Sequence, residues 1–579
     1  MRLLATLLLL LSIARLPAQD STWHTPTRIE GIAVRDSSHI FYRLPLSLKD
    51  SVRPVVWNLS LQTAGEFIHF RTSARSFEVR YGVANKTMGM PHMPSTGVSG
   101  LDLYIKDKDG QWNWMPPRYR FGDTCVYTYN NIGIAPGALV DFYLFLPLYN
   151  TVQWLSVGAR TSESFSWVPE LRGKPIVAYG TSIMQGAVTS RPGLTWTNVL
   201  SRQLDRLIIN LGFSGNGRYE KPLFDHMAKV DAALYILDCM PNLTAEVLSQ
   251  PDSVEKRIRY GVQTLRAAHP NTPILFTEYP NGDIPYYTDT ALLRPRHAAN
   301  AFLVKLFKTL QQEGVQQLYL LTEKEIGFDI NSLTEMTHPN DIGMQQYAVA
   351  YEKKVREILR EPKATGTARQ PVSQYRDGFD WELRHAQIIE RIQQTNPSTL
   401  LIGNSIINFW GGEPRSTKMP PVADSAWLRY MEPLRVQNAG FGYDRIENVL
   451  WRVYHGLLDD FRGQQIVVMI GTNNLSVNTD EEIVQGLSFL LQQIAVRKPG
   501  VKLTMVGILP RKGKEPRVRL LNQQIKRMAT LQQVRFVDLS ASFLLGQTIN
   551  ASLFQPDGLH PNSKGYEVLG KGLSGLIGR

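Results

Sequence analysis

Pro175-Ile-Val-Ala-Tyr-Gly-Thr-Ser182 and Leu400-Leu-Ile-Gly-Asn-Ser405 share one pattern: a short apolar run, then Gly-x-Ser. A bounded apolar run of this length reads as a strand buried on both faces. After Ser182 a helix-like segment continues through Leu204. Further apolar runs follow at Ala232 to Leu237, Ile274 to Thr277 and Gln317 to Leu321. They alternate with amphipathic stretches at Val254 to Ala268 and Ala298 to Glu313. Strand alternating with helix predicts a parallel sheet covered on both faces, an α/β class. The region closes near Arg360, and the polar stretch Glu361 to Val372 reads as a linker. Beyond it the pattern restarts, with apolar runs at Leu400 to Ile402, Ile466 to Ile470 and Lys502 to Ile508 and a last helix from Ser563.

Upstream, Ser21 to Trp167 carries no helical period. His39 to Leu46, Phe67 to Gly82, Leu101 to Ile105 and Asp141 to Leu148 alternate apolar with polar residues between Gly, Pro, Asn and Asp clusters. That predicts an antiparallel β-sandwich. Its Trp112, Trp114 and Tyr127 read as sandwich core, with a sugar-binding face as the alternative. Met1-Arg2, the apolar run Leu3 to Ala14 and Leu16-Pro17-Ala18 read as a secretory signal peptide, too short for a membrane span. The expected organisation is therefore a signal peptide at 1–18, a sandwich at 19–168, α/β domains at 169–360 and 373–579, and a linker at 361–372. Export to the periplasm or the outside follows from the signal.

With 43% hydrophobic and 20% charged residues among 579, disorder, collagen and coiled coil are excluded. The net charge of +12 is spread along the chain, apart from one run at Arg511 to Arg527, so no nucleic-acid partner is implied. Two cysteines, Cys125 and Cys239, exclude a disulfide scaffold and a cysteine zinc cluster.

The two halves repeat more than a strand. An Asn-x-Gly-Phe turn follows each serine, at Asn210 and Asn438, and an asparagine ends the next strand, at Asn242 and Asn473. An acid three residues before His-Pro-Asn comes last: Glu335 with His338, and Asp557 with His560. Serine and histidine lie 156 residues apart in the first copy and 155 in the second. His-Pro-Asn also occurs at His269, but with Arg266 three residues earlier, so the acid is what carries information. Each set reads as a serine hydrolase. The hydroxyl needs a base in reach, and the acid fixes the tautomer of that base. A serine at the carboxyl edge of a parallel sheet lies where such sheets bind ligands. Its own N–H, the turn and the asparagine amide supply oxyanion donors. The histidines and acids are too few per copy for a metal site, and no cofactor or metal is expected.

This constellation resembles the SGNH, or GDSL, hydrolase superfamily over about 170–360 and 373–579. The resemblance implies flavodoxin-like, three-layer domains with Ser182 and Ser405 as nucleophiles and His338 and His560 as bases. It also implies Asn242 and Asn473 as oxyanion donors, with the family's glycine donor at Gly215. The second copy looks like the platelet-activating-factor acetylhydrolase catalytic subunits, on Gly471-Thr-Asn-Asn474, Asn448-Val-Leu-Trp-Arg452 and Leu509-Pro-Arg511. The first looks like a bacterial branch with Leu237-Asp-Cys-Met-Pro-Asn242 behind a sandwich. Two departures stand out. Tyr443 occupies the glycine position of the second copy, and Glu335 replaces the usual Asp in the first. The second copy is expected to be the more active.

Tandem modules behind a sandwich resemble bacterial sialate O-acetylesterases, which implies an acetylated glycan substrate. Arg191, Arg415, Arg511 and Lys512 are candidates for an acidic sugar, and Trp196 and Trp410 for stacking on its ring. A xylan or general carbohydrate acetylesterase, or a glycan-binding protein with one inactive module, are the alternatives. A lipase reading lacks an apolar lid segment.

Overall fold

The computed structural model describes residues 21–36, 39–280, 290–376, 380–415 and 420–577. The signal peptide expected at 1–18 lies outside them. Ile176–Gly180 and Thr399–Gly403 are buried along their whole length, and each lies inside a five-stranded parallel sheet. The first sheet runs Ile208–Gly212, Ile176–Gly180, Leu234–Asp238, Ile274–Thr277, Leu318–Leu321. The second runs Val436–Gly440, Thr399–Gly403, Gln465–Met469, Lys502–Val506, Arg535–Val537, in the same order. In both, the serine strand is the first in sequence and lies between the second and third. The chain therefore turns to opposite sides around it, which opens a crevice at its carboxyl end.

Alternation along the serine strand builds three layers. Val177 and Tyr179 enter one apolar core, Ile176 and Ala178 the other. Leu400 and Ile402 divide from Leu401 in the same way. Helices such as Pro251–Ala268 and Asp341–Ile358 cover the faces. The α/β expectation is met in both halves.

Two five-stranded antiparallel sheets precede them, around Phe70, Phe77 and Phe142. Here one stretch resolves further and two sequence readings need correction. Phe67 to Gly82 is two strands, Phe67–Thr72 and Phe77–Val83. His39 to Leu46 is not a strand, and a seven-residue helix, Pro54–Ser60, opens on proline. The reason is the same for both: this segment leaves the sandwich. Leu44, Val52, Val56 and Trp57 pack into the core of the first α/β module. Arg43 donates to the Gly212 carbonyl at 2.7 Å. In the second module Arg384, on the helix Trp381–Thr395, donates to the matching Gly440 carbonyl at 2.9 Å. The upstream segment thus supplies to the first module what its own helix supplies to the second. Burial pushes the Arg43 guanidinium down to about 10 and Arg384 to about 9.

The stretch 361–372 is docked rather than loose. Glu361 pairs with Arg206 at 2.9 Å, Asn478 donates to Thr367 at 2.8 Å, and Asn448 to the Val372 carbonyl at 2.9 Å. Cys125 and Cys239 are buried free thiols. Among the described residues no helix is long and apolar enough to cross a membrane.

Candidate active site

Each serine opens a four-residue helix, Ser182–Gln185 and Ser405–Asn408, and is 7% exposed. Thr181 and Asn404 cap these helices, accepting from the N–H of Ile183 at 3.3 Å and of Ile406 at 2.9 Å. A Cβ at Gly180 or Gly403 would stand 2.7 or 2.8 Å from a carbonyl of the neighbouring strand, so only glycine lets the turn close. Asn210 and Asn438 lie inside strands rather than in turns. Their amides donate at 2.7 Å to the Met184 and Ile407 carbonyls and accept from Gly212 and Gly440 at 2.8 Å. They clamp the serine helix to the sheet, a function that their place in the sequence did not disclose.

Ser182 Oγ and His338 Nε2 are 2.8 Å apart, as are Ser405 Oγ and His560 Nε2. Asp557 holds His560 Nδ1 at 2.6 Å and accepts its backbone N–H at 3.0 Å. The bond to His560 lowers the Asp557 pKa against the opposing effect of partial burial. Glu335 reaches His338 Nδ1 as well, and accepts its N–H at 2.9 Å. The longer acid suits a shorter hairpin. Leu333 bridges Pro339 in the first copy, whereas Phe554 bridges Pro561 in the second, which has one more residue before the acid. The extra methylene of Glu335 makes up that lost reach.

Gly215 has φ +68° and Tyr443 φ +62°, the same left-handed conformation. The aromatic residue therefore adopts the backbone of the glycine, at a cost of about 1–2 kcal/mol. Its ring is 53% exposed, with Arg376 over it at 5.4 Å. Neither backbone N–H at these positions has a partner among the described residues. Asn242 accepts from Gly217 N–H at 3.0 Å, which leaves its amide nitrogen to donate, and Asn473 donates to the Asp444 carbonyl at 2.9 Å. Gln185 accepts from Ser214 N–H at 2.9 Å and donates to Gln62 of the upstream region at 2.6 Å. Tyr149, also upstream, donates to the Ser182 carbonyl at 3.4 Å. Phe409 lies 5.0 Å from the His560 ring, where the first copy has Gly186 at the matching position.

Other candidates are placed differently. Arg191 is bound to Asp102 at 2.5 Å and to the Tyr104 hydroxyl at 2.7 Å, and lies over the Trp114 ring at 4.3 Å. It pins the first module to the sandwich. The residues that hold it, in the stretch Gly100-Leu-Asp-Leu-Tyr104, were missed in the sequence reading. Trp196 is fully buried and stacks on Tyr351, and Trp410 is fully buried between Trp427 and Tyr566. Neither can face a sugar. Tyr127 is core, Trp114 binds Asp102 through its indole N–H, and Trp112 packs on Tyr143. Arg415 is shared between Glu413 and Asp424 at 3.0 and 2.7 Å. Arg511 has no carboxylate partner among the described residues, and Lys512 N–H donates to the Gly558 carbonyl at 2.9 Å beside Asp557. His269 ends a helix, its ring 2.9 Å from the Ala228 carbonyl.

Asp238 is paired in register with Gly180 on the strand beside it, where the second copy has Met469. Burial, partly offset by the Tyr347 and Tyr351 hydroxyls, pushes its carboxyl up to about 7. Its folded value lies above the unfolded one. The fold therefore bears no penalty below about pH 4, where both states are protonated, and a growing penalty up to about pH 7. Asp238→Asn is expected to raise the melting temperature more at pH 8 than at pH 4; a pH-independent difference would overturn this.

Serine and base in contact, with an acid on the far ring nitrogen, form an acyl-transfer array, and this molecule carries two. The chain is a carboxylic ester hydrolase. Residues 173–356 and 401–568 each match the GDSL-like Lipase/Acylhydrolase family, and 21–165 match the N-terminus of the SGNH-hydrolase-type esterases. The human platelet-activating factor acetylhydrolase IB subunit alpha2 is 28% identical over 202 residues, 34% of this chain and 83% of that protein. The human alpha1 subunit is 26% identical over 213 residues, 36% of this chain and 87% of that protein. A putative GDSL-like lipase from Bacteroides ovatus superposes with a TM-score of 0.54 at 29% identity, covering 59% of this chain and 98% of that one. The chain belongs to the SGNH/GDSL hydrolases, with two such modules in tandem.

Proposed function

We propose that the protein is an exported acetylesterase that removes O-acetyl groups from carbohydrates, above all acidic ones such as sialic acid, at two sites. Ser182 and Ser405 attack the ester carbonyl while His338 and His560 take the proton, held by Glu335 and Asp557. The tetrahedral oxyanion is met by the serine N–H, by the backbone N–H of Gly215 or Tyr443, and by the amide of Asn242 or Asn473. Return of the proton from histidine to the sugar oxygen releases the alcohol, and water then cleaves the acyl-serine by the same route. The observation that carries this reading is the 2.8 Å serine–histidine contact made twice, each with its acid in place. Among the described residues no group of three or more His, Cys, Asp or Glu is arranged to hold a metal ion.

The acidic substrate is supported by the net charge, +12 for the whole chain and +10 without Arg2 and Arg15 of the expected signal peptide, and by the basic turn at Arg511 and Lys512 beside the His560 hairpin. With Arg191 and Arg415 bound elsewhere, a neutral acetylated sugar is the second reading. The test compares acetylated sialic acid with acetylated xylose at matched ester concentration, at low and high salt. A serine-directed phosphonate is expected to abolish activity and a chelator to leave it. Preference for xylose, insensitive to salt, overturns the acidic substrate. Loss with chelator that zinc restores overturns the mechanism.

A further inference from the structure

Arg296 is 6% exposed, yet no carboxylate pairs with it among the described residues. One guanidinium nitrogen lies 3.4 Å from the Thr337 hydroxyl, a second has no partner among the described residues, and the group sits over the Tyr279 ring at 5.0 Å. A buried cation without a counter-ion is costly, and that cost falls when an anion binds. Its position is equally specific. Thr337 precedes His338, and the Arg296-bearing helix, Thr290–Gln312, packs against the Met240–Asn242 turn that carries the candidate oxyanion amide. Tyr279, two residues after the strand Ile274–Thr277, is fixed through its backbone N–H and carbonyl by Asn300 of the same helix, at 2.7 and 3.1 Å. Arg296 therefore stands at the carboxyl edge of the first sheet, between the asparagine and histidine sides of the Ser182 site.

We propose that Arg296 binds the carboxylate of the substrate at the Ser182 site and makes that site selective for esters of acidic sugars. This rests on the reading of Ser182 as a nucleophile. The planar guanidinium offers paired donors that match a carboxylate. In the second module the buried Arg384 and Arg452 are bound to backbone carbonyls and to Asp444; its other cations there, Arg511 and Lys512, lie on a turn at the surface, and Phe409 lies 5.0 Å from the His560 ring. The two sites then divide the work: the first takes acidic esters, the second tolerates neutral ones.

The test uses the full chain with Ser405→Ala, so that only the first site turns over, and two substrates that differ in charge alone. These are 9-O-acetyl-N-acetylneuraminic acid and its C1 carboxamide. The acid is expected to be preferred. Arg296→Gln should lower the acid-to-amide ratio of kcat/KM on the order of 10- to 100-fold, mainly through KM, and Arg296→Lys should retain part of it. In a Ser182→Ala background Arg296→Gln should leave the ratio unmoved. An unchanged ratio with both substrates slowed overturns the proposal, since that is what a merely structural residue would give. If Ser405→Ala protein cleaves neither ester, the nucleophile reading fails, and calorimetry with N-acetylneuraminic acid decides Arg296. Binding that Arg296→Gln removes supports it; binding that is absent or unaltered overturns it.

Discussion

Ser182→Ala and Ser405→Ala are each expected to leave part of the activity, and the double variant essentially none. Each altered site should lose on the order of 10³-fold or more, the scale of other triad deletions. The expectation of two working sites comes from geometry. Both serines are 7% exposed and both meet a histidine at 2.8 Å. The two features that set the copies apart are compensated. Tyr443 takes the left-handed backbone of Gly215, and Glu335 spans the shorter hairpin to His338. The expected ranking of the second copy above the first therefore loses its basis. The single variants should differ in which substrate they lose, because Phe409 stands 5.0 Å from the His560 ring, whereas Gly186 at the matching position is packed against Thr195 and Leu148. If Ser405→Ala alone removes all activity on every ester, the first module is a binding module, and the shared fold does not imply shared chemistry.

Both α/β modules could be read from sequence because their signals are local. A run such as Ile176–Gly180 is buried on both faces, so every residue is apolar, and the Gly-x-Ser after it marks where the strand stops. The sets Ser182, His338, Glu335 and Ser405, His560, Asp557 stood out because the repeat gave each an internal control, and the structure brings each set into contact. Arg191, Trp196, Arg415 and Trp410 were read from nearness in sequence to a serine. A helix or loop turns successive side chains in different directions, so nearness along the chain does not decide which way they face. Arg296 lies 114 residues from Ser182 in sequence and is brought to its site by the packing of a helix. The departure of residues 43–60 from the sandwich was hidden for a related reason. Leu44, Val56 and Trp57 look the same whether their core is the sandwich or the next module.

Asp205→Ala is expected to destabilise the protein by about 1–3 kcal/mol, because it leaves the buried Trp451 indole N–H unpaired and Lys106 and Arg172 with only Glu382 and Glu170. Asp205 ends the helix Trp196–Leu204 of the first module. Its carboxylate takes Lys106 of the sandwich at 2.8 Å, Arg172 at 3.3 Å and the Trp451 indole N–H of the second module at 2.9 Å. Lys106 reaches on to Glu382 at 3.2 Å, and the Asp205 carbonyl lies 3.2 Å from His455 Nε2. One side chain thus joins three modules. Asp205 has φ +49°, which asparagine tolerates better than alanine, so Asp205→Asn separates loss of charge from backbone strain. Burial alone would raise the Asp205 carboxyl, but Lys106 and Arg172 hold it well below the usual range. Its folded value is below the unfolded one near 4, so its contribution is complete above about pH 4 and is lost as pH falls further. Denaturant unfolding at pH 7 should show Asp205→Ala less stable than Asp205→Asn, both less stable than the parent, with both deficits shrinking below pH 4. Because the carboxylate couples the modules, calorimetry of Asp205→Ala should resolve separate transitions where the parent shows one. Variants that match the parent in stability, or that melt in the same single step, would show that the modules hold together without this carboxylate.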